Sequence, residues 1–220
     1  MNREILITAG IVALLSGAAI AHDDGKDNEE TRTLDLNGFD EIEISGVYDL
    51  EVEVGGDFFI ELSGDTEELD RVKATVSGGV LDLSQHDRKK RRGWNKNNHG
   101  VDATIRLPSL TGIDISGVVD GEITGIDTDR FTIEISGVGD LDLEGTCGSL
   151  KARVSGVGDL EADKLKCRAV DVRVSGVGDA SVFASDEVDA TVSGMGGIDV
   201  YGSPERVTKS DSLFANVTVH

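Results

Sequence analysis

The sequence predicts an all-β fold, a right-handed parallel β-helix (β-solenoid) whose coils contain 18–20 residues each. Three observations lead to this prediction. A segment built around Ser-Gly recurs at nearly constant spacing, apolar and polar residues alternate on both sides of it, and the 220 residues include 28 glycines but only 2 prolines. Alternation with a period of two indicates half-buried strands, and a repeat of about 20 residues is typical of solenoids.

The repeat is most regular in residues 115–219, where successive serines are spaced by 20, 19, 20 and 18 residues. Each coil is expected to have one strand before the Ser-Gly pair and one after it. The glycines predict the corners, because glycine accepts tight turns and close backbone approach without steric cost. The regular copies are ISGVVDGEI (115–123), ISGVGDLDL (135–143), VSGVGDLEA (154–162), VSGVGDASV (174–182) and VSGMGGIDV (192–200).

Residues 32–219 are predicted to form a single domain in two parts. In the less regular part, residues 32–114, short strand patterns alternate with turn signals. It contains one further copy of the repeat, ISGVYDLEV at 44–52, and a weaker echo, VSGG at 76–79. We expect antiparallel hairpins there that cap the solenoid, because an open strand edge invites pairing with other chains.

Residues 1–21 have the features of a secretory signal peptide. Arg3 supplies a positive charge, a largely apolar run follows, and Ala19-Ile20-Ala21 fits a small-residue cleavage site. A membrane anchor is the alternative, but the apolar run is short for a span of about 20 residues. We therefore predict export to the periplasm or the cell surface, a disordered acidic leader over residues 22–31, and no transmembrane span in the mature chain.

The two cysteines occupy the same position in neighbouring coils. Cys147 lies eight residues before Ser155, and Cys167 lies eight residues before Ser175. Stacked strands are about 4.8 Å apart, which falls within the Cα separation of a disulfide. Because export leads to an oxidising compartment, we predict a Cys147–Cys167 disulfide; two reduced thiols at a corner are the alternative.

These residues resemble a bacterial family, the putative auto-transporter adhesin, head GIN domain family. The resemblance rests on FDEIEISGVYDLEV at 39–52, on the turn Leu107-Pro108-Ser109-Leu110 leading into Ile113–Gly117, on the repeated SGVGD, and on Tyr201-Gly202-Ser203-Pro204. It covers nearly the whole mature chain. The resemblance implies a β-helix-like domain in secreted or cell-envelope proteins. It implies no established biochemical activity and no catalytic residues.

Carboxylates recur four and six residues after the repeat serines, and we call this set the acidic ladder. Since the residues between them are apolar, both columns are expected to face solvent, about 4.8 Å apart between coils. Like charges at that spacing repel, and Ca²⁺ binds several carboxylate oxygens at once. The alternative is a solvated face on which the aspartates accept backbone hydrogen bonds. The acidic ladder comprises Asp120, Glu122, Asp140, Asp142, Asp159, Glu161 and Asp179.

A basic segment, HDRKKRRGWNKNNHG at 86–100, interrupts the acidic chain. It carries six basic residues and one aspartate, so its charge is +5. The rest of the chain therefore carries −26, and the two together give the net charge of −21. Cations beside an aromatic ring suit anionic glycans or lipopolysaccharide. The alternatives are that the segment is a solvated loop or that it docks onto an acidic column. The candidate anion-binding residues are Arg88, Lys89, Lys90, Arg91, Arg92 and Trp94.

Composition and motifs narrow the function. The net charge of −21 repels nucleic-acid phosphates, and the chain contains no G-x-S-x-G, H-E-x-x-H or P-loop pattern. We therefore predict an exported, non-catalytic adhesin or structural surface module with an unidentified envelope or extracellular ligand. A binding module for divalent cations or anionic glycans is the alternative, with a glycan-acting enzyme a distant third. The sequence indicates no cofactor beyond Ca²⁺ and no firm metal site.

Overall fold

The computed structural model describes residues 29–86, 100–212 and 215–220, which form fifteen strands and one short helix. The helix, α1 (Thr66–Leu69), is capped by the Asp65 carboxylate, which accepts the Glu67 N–H at 2.8 Å. The strands are β1 (Glu29–Leu34), β2 (Glu41–Ser45), β3 (Val47–Val54), β4 (Phe59–Asp65), β5 (Val72–Ser77), β6 (Val80–Gln85), β7 (Val101–Leu107), β8 (Gly112–Ile115), β9 (Val118–Ile135), β10 (Val138–Val154), β11 (Leu160–Val174), β12 (Ala180–Val192), β13 (Gly196–Gly202), β14 (Arg206–Ser210) and β15 (Ala215–Val219).

The strands form two parallel stacks, which confirms the predicted solenoid. The rear stack holds the strand that precedes each Ser-Gly corner, in the order β6-β2-β8-β9-β10-β11-β12-β14. The front stack holds the strand that follows the corner, in the order β7-β3-β9-β10-β11-β12-β13-β15. β9 to β12 begin in the front stack and pass a second corner into the rear stack. The handedness of the winding stays a prediction.

The stacking register follows the sequence repeat. Asp140 is opposite Asp120, and Cys147 is opposite Cys167. The predicted disulfide is present, with its Cα atoms 4.5 Å apart. Glu134 is opposite Arg153 as expected, but the Arg153 guanidinium forms its ion pair with Asp171 on the other side, at 3.1 Å.

The core lies between the two stacks, and some of its side chains become smaller along the solenoid. Inward positions of the strands are almost fully buried. At three stacked positions of the rear stack, β9 has Phe131, Ile133 and Ile135, whereas β12 has Val188, Ala190 and Val192. The inward side chains of the rear stack are therefore smaller in the later coils.

The Ser-Gly corners stack backbone against backbone. A Cβ on Gly156 would overlap the carbonyl oxygen of Gly137 in the preceding coil, so no other residue fits without moving the coils apart. The next residue, Val157, donates its N–H to that same Gly137 oxygen at 3.0 Å. The glycine column is thus required by close approach, and the corner itself continues the parallel ladder.

The first coils do not follow chain order. The coil made by β6 and β7 lies outside the coil made by β2 and β3, although it comes later in the sequence. Antiparallel strands cover this end: β4 pairs with β7, β1 with β4, and β5 with β6. The predicted hairpin cap is present.

Two details of the sequence interpretation are wrong at this end. The echo VSGG at 76–79 is not a solenoid corner, although Ser77-Gly78-Gly79 is a turn as its turn signal predicts: Gly78 and Gly79 form the two-residue turn between β5 and β6, with φ of 64° and 92°. Positive φ at both central residues is what a type I′ hairpin turn requires. In addition, β1 begins at Glu29, so the last residues of the predicted leader 22–31 belong to the sheet, and the signal peptide 1–21 lies outside the described residues.

Candidate functional surfaces

The acidic ladder lies on the outer face of the front stack, and all seven of its residues are exposed as predicted. Its first column is tied to the backbone of the following coil. The Asp140 carboxylate accepts the Asp159 N–H at 2.9 Å, the Asp159 carboxylate accepts the Asp179 N–H at 2.7 Å, and the Asp179 carboxylate accepts the Gly197 N–H at 2.5 Å. These bonds favour the backbone-binding alternative, because one oxygen of each aspartate already joins two coils.

The second column of the ladder lacks such backbone bonds in the described residues, and like charges dominate it. Asp142 is in register with Glu161, and its negative charge raises the pKa of Glu161. Further along the front stack, burial raises the pKa of Asp49, and the charges of Asp102 and Asp120 add to that effect. The front face is therefore a continuous acidic surface with a net repulsion along the stack.

The rear stack carries another acidic column, separate from the two columns of the acidic ladder, which sequence analysis missed. Asp82, Glu43, Asp114 and Glu134 lie side by side on four consecutive coils. Burial raises the pKa of Asp114, and the charges of Glu134 and Glu43 raise it further. The column escaped notice because Asp82 and Glu43 belong to coils that stack out of chain order.

The structure does not show these carboxylates converging on a point. Among residues 29–86, 100–212 and 215–220, no three histidine, cysteine, aspartate or glutamate side chains are arranged to hold a metal ion. Cation binding by the ladder therefore stays a prediction about an extended surface rather than a closed site.

The basic residues Arg88–Arg92 and Trp94 lie outside the described residues, but both attachment points of their segment are defined. The segment leaves β6 after Gln85 and enters β7 at Val101, at the place where later coils have their Ser-Gly corner. The Gln85 amide replaces that corner: Val47 N–H donates to Gln85 Oε1 at 3.1 Å, and Gln85 Nε2 donates to the Val47 carbonyl at 3.4 Å. The basic segment thus emerges at one end of the row of corners.

An exposed apolar ridge follows the same row of corners, and sequence analysis missed it as a surface. The third residue of each of the five regular S-G-x repeats in residues 115–200 is apolar, yet 44–57% of it is exposed. Backbone bridges join these residues from coil to coil. The signal was present in the invariably apolar residue of the repeat, but the alternating pattern alone did not show that it points outward. The valine ridge consists of Val118, Val138, Val157, Val177 and Met195.

The two stacks, the cross-coil disulfide and the unbroken outer columns define a β-solenoid domain that displays repeated side chains on rigid coils. The chain belongs to the family described as putative auto-transporter adhesin, head GIN domain, whose model matches residues 38–204. This confirms the resemblance inferred from the repeats.

Two solved structures are similar to the chain. A putative adhesin from Bacteroides fragilis has 28% sequence identity and a TM-score of 0.72, over 89% of this chain and 98% of that one. A putative adhesin from Parabacteroides distasonis shares the fold at 14% identity, with a TM-score of 0.53 over 89% and 98% of the two chains. No curated protein matches the chain in sequence. In the part of the chain that the structure describes, no helix has the length and apolar character needed to cross a membrane.

Proposed function

We propose that this protein is an exported, non-catalytic surface module that attaches to a partner outside the cytoplasm through the outer faces of its solenoid. The observation that carries the proposal is the valine ridge. In a chain with a net charge of −21, every coil from Val118 to Met195 nevertheless presents an apolar side chain to solvent. A contiguous exposed apolar row is typical of an interaction surface, whereas isolated exposed apolar residues are ordinary.

The shape of the ridge favours attachment over catalysis. Five side chains at intervals of about 4.8 Å form a row about 19 Å long. The corners beneath it are hydrogen bonded from coil to coil, for example Val177 N–H to the Gly156 carbonyl at 3.0 Å. A rigid row of this kind gives repeated weak contacts that add up by avidity, because ordering the surface costs little additional entropy.

Bead attachment tests the proposal. Beads coated with the protein, recovered from the secreted or periplasmic fraction of an expression host, are applied to immobilised bacterial envelopes under flow. We expect the variant V138S/V157S/V177S to be retained several-fold less than the wild type. The control V207S removes an equally exposed valine, 43% accessible, at the far end of the solenoid. Equal retention of the wild type and the triple variant would contradict the proposal.

The same preparation tests export. If residues 1–21 are a signal peptide, the mature protein begins at His22. Intact-mass measurement of the protein in the secreted, periplasmic and membrane fractions of the same host shows at which residue the chain begins in each. A chain that retains residues 1–21 and stays with the membrane would favour the anchor alternative instead.

Divalent cation binding is a second candidate function, and the charge repulsion between Asp142 and Glu161 favours it. A cation between these two carboxylates would relieve the repulsion that raises the pKa of Glu161. We expect millimolar Ca²⁺ to raise the melting temperature of the wild type, and to raise it less in D142N/E161Q. An unchanged melting temperature, together with no heat in calorimetric titration, would remove this function.

A further inference from the structure

Two arginines on the second corner of the solenoid stand apart from the others. Eight arginines lie in the described residues. Five form ion pairs with carboxylates, and Arg106 lies over the Phe59 ring at 4.5 Å. Within the described residues, only Arg130 and Arg168 have neither kind of partner. Since acidic residues outnumber basic ones by 42 to 21, two unpaired guanidinium groups are unexpected.

Both arginines line the same groove, which we call the arginine groove. It has a volume of about 910 Å³ and follows the second corner across several coils. Hydroxyl groups of Thr128, Thr132 and Ser149 contribute to its walls. The Cys147–Cys167 disulfide joins two of these coils directly beside it, so its floor is held in place.

The two arginines belong to the coils on either side of the coil that contains Gly148 and Ser149. Arg130 is in register with Ser149 in the next coil, and Arg168 belongs to the coil after that. Gly148 has no side chain, and the Arg168 guanidinium reaches back over it, with Nη2 3.3 Å from where a Cβ would lie. Two cations from alternate coils therefore flank one open Gly-Ser step.

The groove also contains hydrogen-bond acceptors. Glu41, Asp129, Asp186 and Glu187 lie along it. Glu187 is neutralised by Arg206 at 2.8 Å, and Asp186 accepts the Ser185 hydroxyl at 2.6 Å. These acids oppose a densely charged polyanion such as a nucleic acid, since its phosphates would meet carboxylates as well as arginines. They suit a ligand rich in hydroxyl groups that carries only a few negative charges.

We propose that the arginine groove binds a glycan containing uronic acid units. Arg130 and Arg168 each bind one carboxylate of the glycan through charge-assisted, fork-shaped hydrogen bonds. Asp129, Glu41 and the groove hydroxyls bind sugar hydroxyl groups. A linear chain along the solenoid axis meets arginines on alternate coils, about 9.6 Å apart between their backbones. This inference rests on the proposed attachment function and names one ligand class for it.

Titration with a defined glycan tests the inference. A fluorescently labelled tetrasaccharide in which glucuronate alternates with a neutral sugar is titrated into the mature protein, and its anisotropy is recorded. We expect saturable binding that is at least 10-fold weaker in R130Q/R168Q, because each variant position loses charge-assisted hydrogen bonds. The matched control is R173Q, which removes one exposed arginine outside the groove that pairs with Asp171; it should bind as the wild type does.

Two further probes define the ligand class. The carboxyl-reduced, neutral tetrasaccharide should not bind, and free glucuronate should bind far more weakly, since it offers one carboxylate and no chain. The inference is overturned by any of four results: no binding of the glucuronate-containing tetrasaccharide, equal binding of the neutral tetrasaccharide, unchanged affinity in R130Q/R168Q, or an equal loss in R173Q. If wild-type beads still attach to envelopes, only the glycan assignment fails; if they do not, the attachment function fails as well.

Discussion

The two halves of the molecule build the same coil in different ways. In β9 to β13 each coil is one continuous stretch of sequence, and its glycine corner lies against an identical corner in the next coil. In the N-terminal half, the coil of β6 and β7 lies outside that of β2 and β3, and antiparallel strands cover it. Both halves keep the same two stacks and share one core.

The difference shows what the sequence repeat is for. A coil between two like coils must satisfy the same steric condition on both sides, so Gly137, Gly156 and Gly176 recur at one position. At the capped end no like corner follows, and the side-chain amide of Gln85 bonds the Val47 backbone instead. The Ser-Gly repeat is therefore needed where a coil stacks on coils of the same structure. It is absent where a coil packs against a different element.

Replacing a glycine in each half gives the largest expected contrast. G156A inserts a Cβ into the Gly137 carbonyl, and we expect it to cost about 3 kcal/mol or more, because backbone cannot move aside cheaply. G56A in the capped half meets only the Arg106 Cβ at 3.9 Å, and should be almost neutral. Chemical denaturation measures both. Should G156A fail to fold, G139A provides a milder clash, 2.8 Å from the Val119 carbonyl oxygen, and equal stability of G139A and G56A would contradict the explanation.

This contrast also explains how much the sequence could predict. The solenoid, the register and the disulfide followed from residues 115–219 because equal positions stack there, as with Cys147 and Cys167. The order of the first coils could not be predicted from the sequence, since β2 and β3 carry a copy of the repeat while β6 and β7 carry none. The column through Asp82, Glu43 and Asp114 depends on that order and was missed for the same reason.

The arginine groove escaped sequence analysis for another physical reason. Arg130 is in register with Ser149, and Ser149 with Ala169, so the repeat places Arg168 one residue away from the column. The Arg168 guanidinium reaches back toward the same step, with Nη2 3.3 Å from where a Cβ on Gly148 would lie. Contacts that depend on a long side chain crossing between coils leave no periodic signal in the sequence.

The disulfide gives the next largest effect, and it is confined to the regular half. Cys147 and Cys167 close a loop of 20 residues between neighbouring coils. In the chain-entropy estimate such a cross-link contributes about 3 kcal/mol. We expect C147A/C167A to lower the denaturation midpoint accordingly. Wild-type protein with reduced thiols is the control that separates the cross-link from packing, and an unchanged midpoint after reduction would contradict the expected contribution.

Gln85 tests whether the capped end uses a side chain in place of a corner. Q85A leaves the Val47 N–H and carbonyl without their amide partner, and we expect a loss of about 1 kcal/mol. Q85E keeps the acceptor for the Val47 N–H but places a carboxylate oxygen against the Val47 carbonyl, so its loss should be at least as large. Hydrogen exchange at the Val47 amide measures the local effect directly. Unchanged protection of that amide in Q85A would show that Gln85 does not replace the corner.

The smallest effect concerns the acidic column that joins the two halves across the rear stack. Burial, followed by the charges of Glu134 and Glu43, raises the pKa of Asp114. A carboxyl whose pKa is higher in the folded state destabilises that state when it ionises, so its penalty is present at pH 7 and disappears as the pH falls below the raised pKa. D114N should therefore raise the melting temperature at pH 7 by about 1 °C.

The pH dependence of this gain separates repulsion from a general effect of charge. The advantage of D114N over the wild type should shrink as the pH falls toward the ordinary pKa of an aspartate, because Asp114 is then protonated in the wild type as well. D211N makes the same charge change on an exposed residue outside the column. If D211N stabilised the protein as much as D114N, the gain would reflect the net charge of −21 and not the stacked column. A difference between the two variants that vanishes at low pH would instead locate the repulsion where the out-of-order coils meet the regular ones.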